Sequence, residues 1–332
     1  MQIHVKAGCA LYRLLAFTLL AAFLGALAGS ALAQNWPTKP VKIIVSQPPG
    51  TGPDIIVRMF SDFLGKEWGQ AVVVENRGGG ASVIGVQAAQ RSAPDGYTFL
   101  FTTPGMIWNV FLFKSLPYDI ERDFAPVSLI GRAPFVLAVT PDLPAKNVPE
   151  LIALLKSQPG KMSLASDGPK GLSGLMGEMF RAVTGTDYVH VPYNGTAPAI
   201  QDTMVGRTQF TFQSAPAMMS MIKSGKIRPI AVVGTRRIQW AENLPLVRDT
   251  IPDFEYMGGY MMYAPIGTPN DIVLKVNRDV ERGLKAPLIS QRLFELGPVT
   301  DGGGSPQVLL DYQRAELKRW ERLSKAINLQ PE

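Results

Sequence analysis

The stretch Lys42-Ile43-Ile44-Val45-Ser46-Gln47-Pro48-Pro49-Gly50-Thr51-Gly52-Pro53-Asp54 reads as a β-branched strand running into a Gly/Pro loop that opens a helix. Ile55, Ile56, Met59, Phe60, Phe63 and Leu64 follow at helical spacing and make one apolar face. Pro53 suits the first helical position, and Thr51 or Gly52 the N-cap. Unsatisfied N–H groups and the helix dipole make such a start an anion site, with phosphate or carboxylate as natural guests. A Walker A loop fails here because no Gly-Lys-Ser/Thr closes it. A dinucleotide fingerprint fails too, since Ile55 stands where its third glycine belongs, although Glu75 mimics the ribose-binding acid. Carboxylate capture is the favoured reading, and a tight turn with no ligand stays open beside it.

Outward from this loop, β-branched runs alternate with amphipathic stretches, the pattern of an α/β fold with a mostly parallel sheet. Strands are expected at 41–46, 71–75, 98–102, 135–140, 162–166, 188–191, 210–213 and 230–233, and a further one at 258–263. Helices are expected at 271–285 and 306–326, with others between the strands. One α/β unit ends near Arg132-Ala133-Pro134 and a second begins at Phe135. The chain then returns, so two connections join the lobes and form a hinge beside a cleft. Lobe 1 is expected over 34–134 and 258–332, and lobe 2 over 135–257. Two more strand-to-helix loops face this cleft: Asn76-Arg77-Gly78-Gly79-Gly80-Ala81-Ser82 in lobe 1, and Ser166-Asp167-Gly168-Pro169-Lys170-Gly171-Leu172-Ser173 in lobe 2. Thr103 follows the third strand on the same side.

The first 33 residues carry Lys6 and Arg13, an apolar run from Leu14, and Ala31-Leu32-Ala33, the three parts of a signal peptide cleaved after Ala33. Export to the periplasm removes Cys9 and His4, lowers the formal charge from +6 to +4, and separates the protein from cytosolic ATP and NAD. The whole chain of 332 residues has one cysteine and two histidines, so no clustered Cys/His metal site is expected. With 46% hydrophobic and 18% charged residues the composition excludes disorder and leaves room for two domains. Arg236-Arg237 is the densest basic pair, so no nucleic-acid partner is expected.

Several motifs together resemble the Bug family, the extracytoplasmic solute receptors of tripartite tricarboxylate transporters. They are Trp36-Pro37-Thr38-Lys39-Pro40-Val41, Pro48-Pro49-Gly50 with Asp54, Val74-Glu75-Asn76-Arg77, Ala93-Pro94-Asp95-Gly96-Tyr97-Thr98, Leu116-Pro117-Tyr118-Asp119, Asp123-Phe124-Ala125-Pro126-Val127, Val189-His190-Val191-Pro192-Tyr193-Asn194-Gly195 and Ala264-Pro265-Ile266-Gly267-Thr268-Pro269. The resemblance implies a type II-like, two-lobed periplasmic binding protein, its two α/β domains joined by a double-crossover hinge. It further implies a monomer that closes on a small mono- or dicarboxylate and delivers it to a membrane permease, with no cofactor and no metal. Backbone N–H groups, ordered water and a few side chains would hold the ligand. Carried onto this chain, the candidates are Gln47, Pro49, Gly50, Thr51, Gly52, Pro53, Asp54, Gly80, Ser82 and Thr103, then Ser166, Asp167, Gly168, Lys170, Pro192, Tyr193 and Gln213.

Departures from the family pattern bear on specificity. Pro53 removes an N–H that a ligand could use. Asp167, Pro169 and Lys170 replace small polar residues and glycine, Asn194 a frequent lysine, and Gln213 a frequent aspartate. Lys170 reads as reaching a distal carboxylate or, more commonly for lysine, as solvated. His190 reads as a structural hydrogen-bonded histidine, Trp108 and Phe111 as packing with aromatic-ligand stacking the alternative, and Met218, Met219 and Met221 as the buried face of a short helix. Asp119, Glu121 and Asp123 read as a solvated loop. An exported enzyme acting on a carboxylate, or a sensor signalling to a membrane partner, are the other roles this fold admits. An enzyme needs a nucleophile or base with an orienting partner, and no catalytic residue is expected from the spacing.

Overall fold

A computed structural model describes residues 36–235, 237, 241–295, 302–326 and 329–331. The expected signal peptide and Arg236 lie outside these residues. Strand β1 (Val41–Val45) runs parallel between β2 (Val72–Asn76) and β3 (Thr98–Thr102), and helices α1 (Gly52–Trp68), α2 (Val83–Gln90) and α3 (Gly105–Leu112) follow the three strands in turn. Then come β4 (Phe124–Val139), α4 (Val148–Ser157), β5 (Ser163–Ser166), α5 (Leu172–Thr184), β6 (Val189–Pro192), α6 (Thr196–Met204), β7 (Phe210–Ser214), α7 (Ala215–Lys223) and β8 (Arg228–Val233). The chain returns through β9 (Met257–Pro265) and ends with α8 (Asn270–Lys285), α9 (Pro287–Glu295) and α10 (Pro306–Ala326).

Local chemistry accounts for the helix limits. In α1 the buried residues Ile56, Val57, Phe60, Leu64 and Trp68 recur on one face, and Gly69 closes the helix in a left-handed conformation. Asn147 caps α4 by accepting the Glu150 N–H at 2.9 Å, and Pro149 occupies its first turn.

The strands form the order β2-β1-β3-β9-β4-β7-β5-β6, with β8 also on β4. The expectation of a mostly parallel sheet needs correction. Pairs β1–β2, β1–β3, β5–β6 and β5–β7 are parallel, whereas β3–β9, β4–β9, β4–β7 and β4–β8 are antiparallel. Three of these four antiparallel pairs involve β4, which extends eleven residues upstream of the expected start at Phe135 and makes Arg132-Ala133-Pro134 strand rather than linker. Pro126 sits at a register shift against β9, and Pro134 is the last residue paired with β9, so neither proline breaks a continuous ladder. From Phe135 onward β4 pairs with β7 and β8 instead. Two lobes thus share one central strand, and β9 runs back along its first half.

Each lobe has its own core. Ile44, Leu100, Leu129, Met261 and Tyr263 pack together in the first. In the second, Phe180 lies against Phe210, Phe212 and Phe254 at centroid distances of 5.7 to 6.5 Å. Truncating such a ring to alanine costs about 3–5 kcal/mol. Trp108 of α3 and Trp320 of α10 join this second core, with centroids 4.9 Å apart. No helix among the described residues is long and apolar enough to cross a membrane.

Candidate functional site

The loop from β1 to α1 is held by its own side chains. Thr51 is the N-cap in extended conformation, so Gly52 and Pro53 are the first two helical residues, and Pro53 stands one place later than expected. Thr51 Oγ1 donates to the Pro48 carbonyl at 2.8 Å instead of capping the helix. Asp54 turns back to accept the Gly50 N–H at 2.9 Å and pairs with Arg58 at 2.9 Å. Burial pulls the Asp54 carboxyl upward, but its hydrogen bonds from Arg58, Gly50 and Asn76, with the Arg58 charge, hold it below the ordinary range. Gly52 has no room for a side chain: a Cβ there would stand 2.7 Å from Tyr260 Oη and 2.8 Å from Ser214 Oγ.

The second loop is strained. Gly80, Ala81 and Ser82 take φ of 54°, 52° and 79°, so two non-glycine residues in a row are left-handed. Surrounding bonds fix this turn. Asn109, fully buried on α3, donates to the Ala81 carbonyl at 2.8 Å, and Gln47 Nε2 donates to Ser82 Oγ at 3.1 Å and Thr103 Oγ1 at 3.0 Å. Asn109 also reaches Tyr118 Oη at 3.2 Å. The sequence signal for Asn109 is a polar residue inside the apolar run of α3.

In the second lobe, Asp167 follows β5 and accepts the Ser173 N–H at 3.2 Å, while its own N–H donates to Ser173 Oγ at 3.1 Å. This is a reciprocal cap on the start of α5. Burial pushes the Asp167 carboxyl up to about 6, against the hydrogen bonds from Ser173 and Gly174. Ser166 Oγ lies 2.7 Å from His190 Nε2, and His190 Nδ1 lies 3.2 Å from Glu178 Oε1. The order Ser–His–acid is that of a nucleophile array. Its serine, however, is 0% exposed and is also bonded to the backbone of Gly168, so the array fastens the loop as expected of a structural histidine.

These loops enclose a cavity of about 430 Å³. Of the candidate residues, Gln47, Thr51, Gly52, Pro53, Gly80, Ser82, Thr103, Asp167, Gly168, Lys170, Tyr193 and Gln213 line it. Pro49, Gly50, Asp54, Ser166 and Pro192 do not. Pro49, Gly50 and Pro192 are exposed, Asp54 is drawn to Arg58, and Ser166 lies beneath the wall. Lys170 is half-buried over the Phe113 ring, 4.3 Å from its centroid, rather than fully solvated. Sequence reasoning missed Tyr260 and Ser214, which line the cavity from β9 and β7. The signal was Gly258-Gly259, where small residues bring the β9 backbone to the same wall. Trp108 is 3% exposed, packs on Trp320 as expected, and also lines the cavity.

Walls from both lobes meet around this space. A Cβ on Gly195 of the second lobe would come within 3.2 Å of Pro48 in the first, and Lys170 and Phe113 meet across the cavity. The arrangement supplies helix N-termini, hydroxyls and amides to a bound anion, and among the described residues no three His, Cys, Asp or Glu side chains gather as for a metal.

The chain is similar to known proteins over most of its length. BugT of Bordetella pertussis is 30% identical over 297 residues, covering 89% of this chain and 91% of BugT. An R. palustris protein solved with adipate is 33% identical with a TM-score of 0.85, covering 90% of this chain and 100% of that one. The periplasmic binding protein BugD is 28% identical with a TM-score of 0.84 and covers the same shares. The fold is therefore that of the two-lobed periplasmic binding proteins, and the relatives are solute-binding receptors rather than enzymes. Residues 56–329 match the family of tripartite tricarboxylate transporter receptors, and the chain belongs to that family.

Proposed function

We propose that this protein is a periplasmic receptor that captures a small mono- or dicarboxylate by hinge closure and delivers it to a membrane permease of the tripartite tricarboxylate type. Residues 1–33 act as a cleaved signal peptide, and lobes 34–134 with 258–332 and 135–257 close on each other. The observation that carries this reading is the cavity, whose wall comes from both lobes and includes the first turn of α1. A ligand carboxylate placed at Thr51 and Gly52 meets N–H groups that the helix cannot satisfy internally. The change of β4 partners between Pro134 and Phe135 supports the division into lobes. A ligand touching both walls favours the closed state because the open state offers it one wall only. Adipate in the R. palustris relative supports a carboxylate as the ligand class.

A thermal-shift screen of the chain from Gln34 onward tests the proposal, with aliphatic and aromatic carboxylates, phosphates and nucleotides as ligands. A ligand at a hundred times its Kd adds about 2.7 kcal/mol of stability. The expected outcome is a carboxylate hit recovered chemically unchanged. A nucleotide hit, or a carboxylate consumed on incubation, overturns the reading.

A further inference from the structure

Among the described residues that line the cavity, the charged side chains are Asp167 and Lys170, both from the second lobe. The first lobe presents a neutral wall of backbone, hydroxyl and amide groups with the start of α1. The corresponding helix start in the second lobe, that of α5, already holds a carboxylate. Asp167 accepts the Ser173 N–H there, and a Cβ on Gly171 would collide with its Oδ1, so the group is packed tightly against its own loop. Gln213, fully buried, donates to the same Ser173 Oγ at 3.4 Å and closes the far side.

We propose that Asp167 makes this receptor selective for monocarboxylates, because the chain's own carboxylate fills the second-lobe anion position that a dicarboxylate would need. The inference rests on the solute-binding reading given above. A second ligand carboxylate reaching this wall would stand beside Asp167 in an enclosed site, where two like charges cannot both remain ionised without cost. Lys170 offers no simple relief, as its ammonium is engaged over Phe113. The ligand class is thus a monocarboxylate.

The test is calorimetric titration at pH 7.5 of the chain from Gln34 onward with butyrate against succinate and hexanoate against adipate. Each pair shares its chain length and differs by one carboxylate. Asp167→Asn and Asp167→Ser keep a hydrogen-bond acceptor for Ser173, and their thermal melts verify folding. The wild type is expected to bind the monoacid of the better pair at least about tenfold more tightly than the diacid, and both variants to narrow that ratio to about threefold by strengthening the diacid. Equal or tighter diacid binding by the wild type, or a ratio unchanged in both variants, overturns the inference while leaving the receptor reading intact. Diacid binding that collapses in Lys170→Met also overturns it, by assigning the second carboxylate to the lysine. Failure of carboxylates of every chain length to bind overturns the receptor reading and this inference with it.

Discussion

The β1–α1 loop and the β5–α5 loop are built alike, yet they treat the same residue type in opposite ways. Both end a parallel strand, both bend through glycine, and both place an aspartate near a helix N-terminus. In the first, Asp54 is the third helical residue, reaches back outside the cavity to Gly50 and Arg58, and is held in its charged form. In the second, Asp167 precedes the helix, lies on the cavity wall and is pushed toward its neutral form. A shift in where the acid sits relative to the first turn therefore decides whether a helix start remains open to a solute or is closed by the protein itself. Pattern alone makes the two loops equivalent; side-chain direction separates them.

The comparison breaks most readily at Gly52. Gly52→Ala forces a methyl against Tyr260 and Ser214, and overpacking of this kind costs about 1–3 kcal/mol. Ligand affinity is expected to fall about 10- to 100-fold and the melting temperature of the unliganded protein by about 2–4 °C for each kcal/mol of overpacking; calorimetry and a thermal melt measure both. Next is Asp167→Asn. The acid binds its proton more tightly in the folded state than in the unfolded one, so wild-type stability rises as pH falls from about 6 toward 3.8 and the penalty is complete above about 6. His190, Glu178 and Arg181 lie behind the same loop and titrate or carry charge in both proteins, so the difference between them isolates Asp167. The variant is expected to be more stable at pH 7.5 by on the order of 2 kcal/mol and equal to wild type near pH 3.5.

Asp54→Ala works in the other direction. Its lowered carboxyl contributes stability above the ordinary value of 3.8, and that contribution disappears as pH falls through the lowered value. A loss of about 1 kcal/mol at pH 7 is expected, vanishing at strongly acid pH, and urea melts at the two pH values measure it. The smallest effect is expected from Lys170→Met, which removes the contact with Phe113 and lowers stability by about 0.5–1 kcal/mol in the same assay.

What the sequence disclosed is what local pattern encodes. The strand, glycine loop and helix at 41–64 are legible because each step depends on near neighbours. The front half of β4 is not, because Pro126 and Pro134 punctuate it, and only the distant β9 shows that they fall at a register shift and at the end of a pairing. Pattern marks the loops that reach the cavity but does not separate Asp54 and Ser166 from Asp167 and Gly168, since rotamer and burial follow from tertiary contacts. Tyr260, Ser214 and Asn109 reach the site from β9, β7 and α3, separations at which spacing carries no signal.

Trp108 touches the cavity on one side and Trp320, carried by the C-terminal helix, on the other. An indole beside a cavity that loses water on filling changes the colour and intensity of its emission. The protein thus carries an unlabelled optical gauge of its own occupancy, and exciting its tryptophans during a titration should report the solute without any dye.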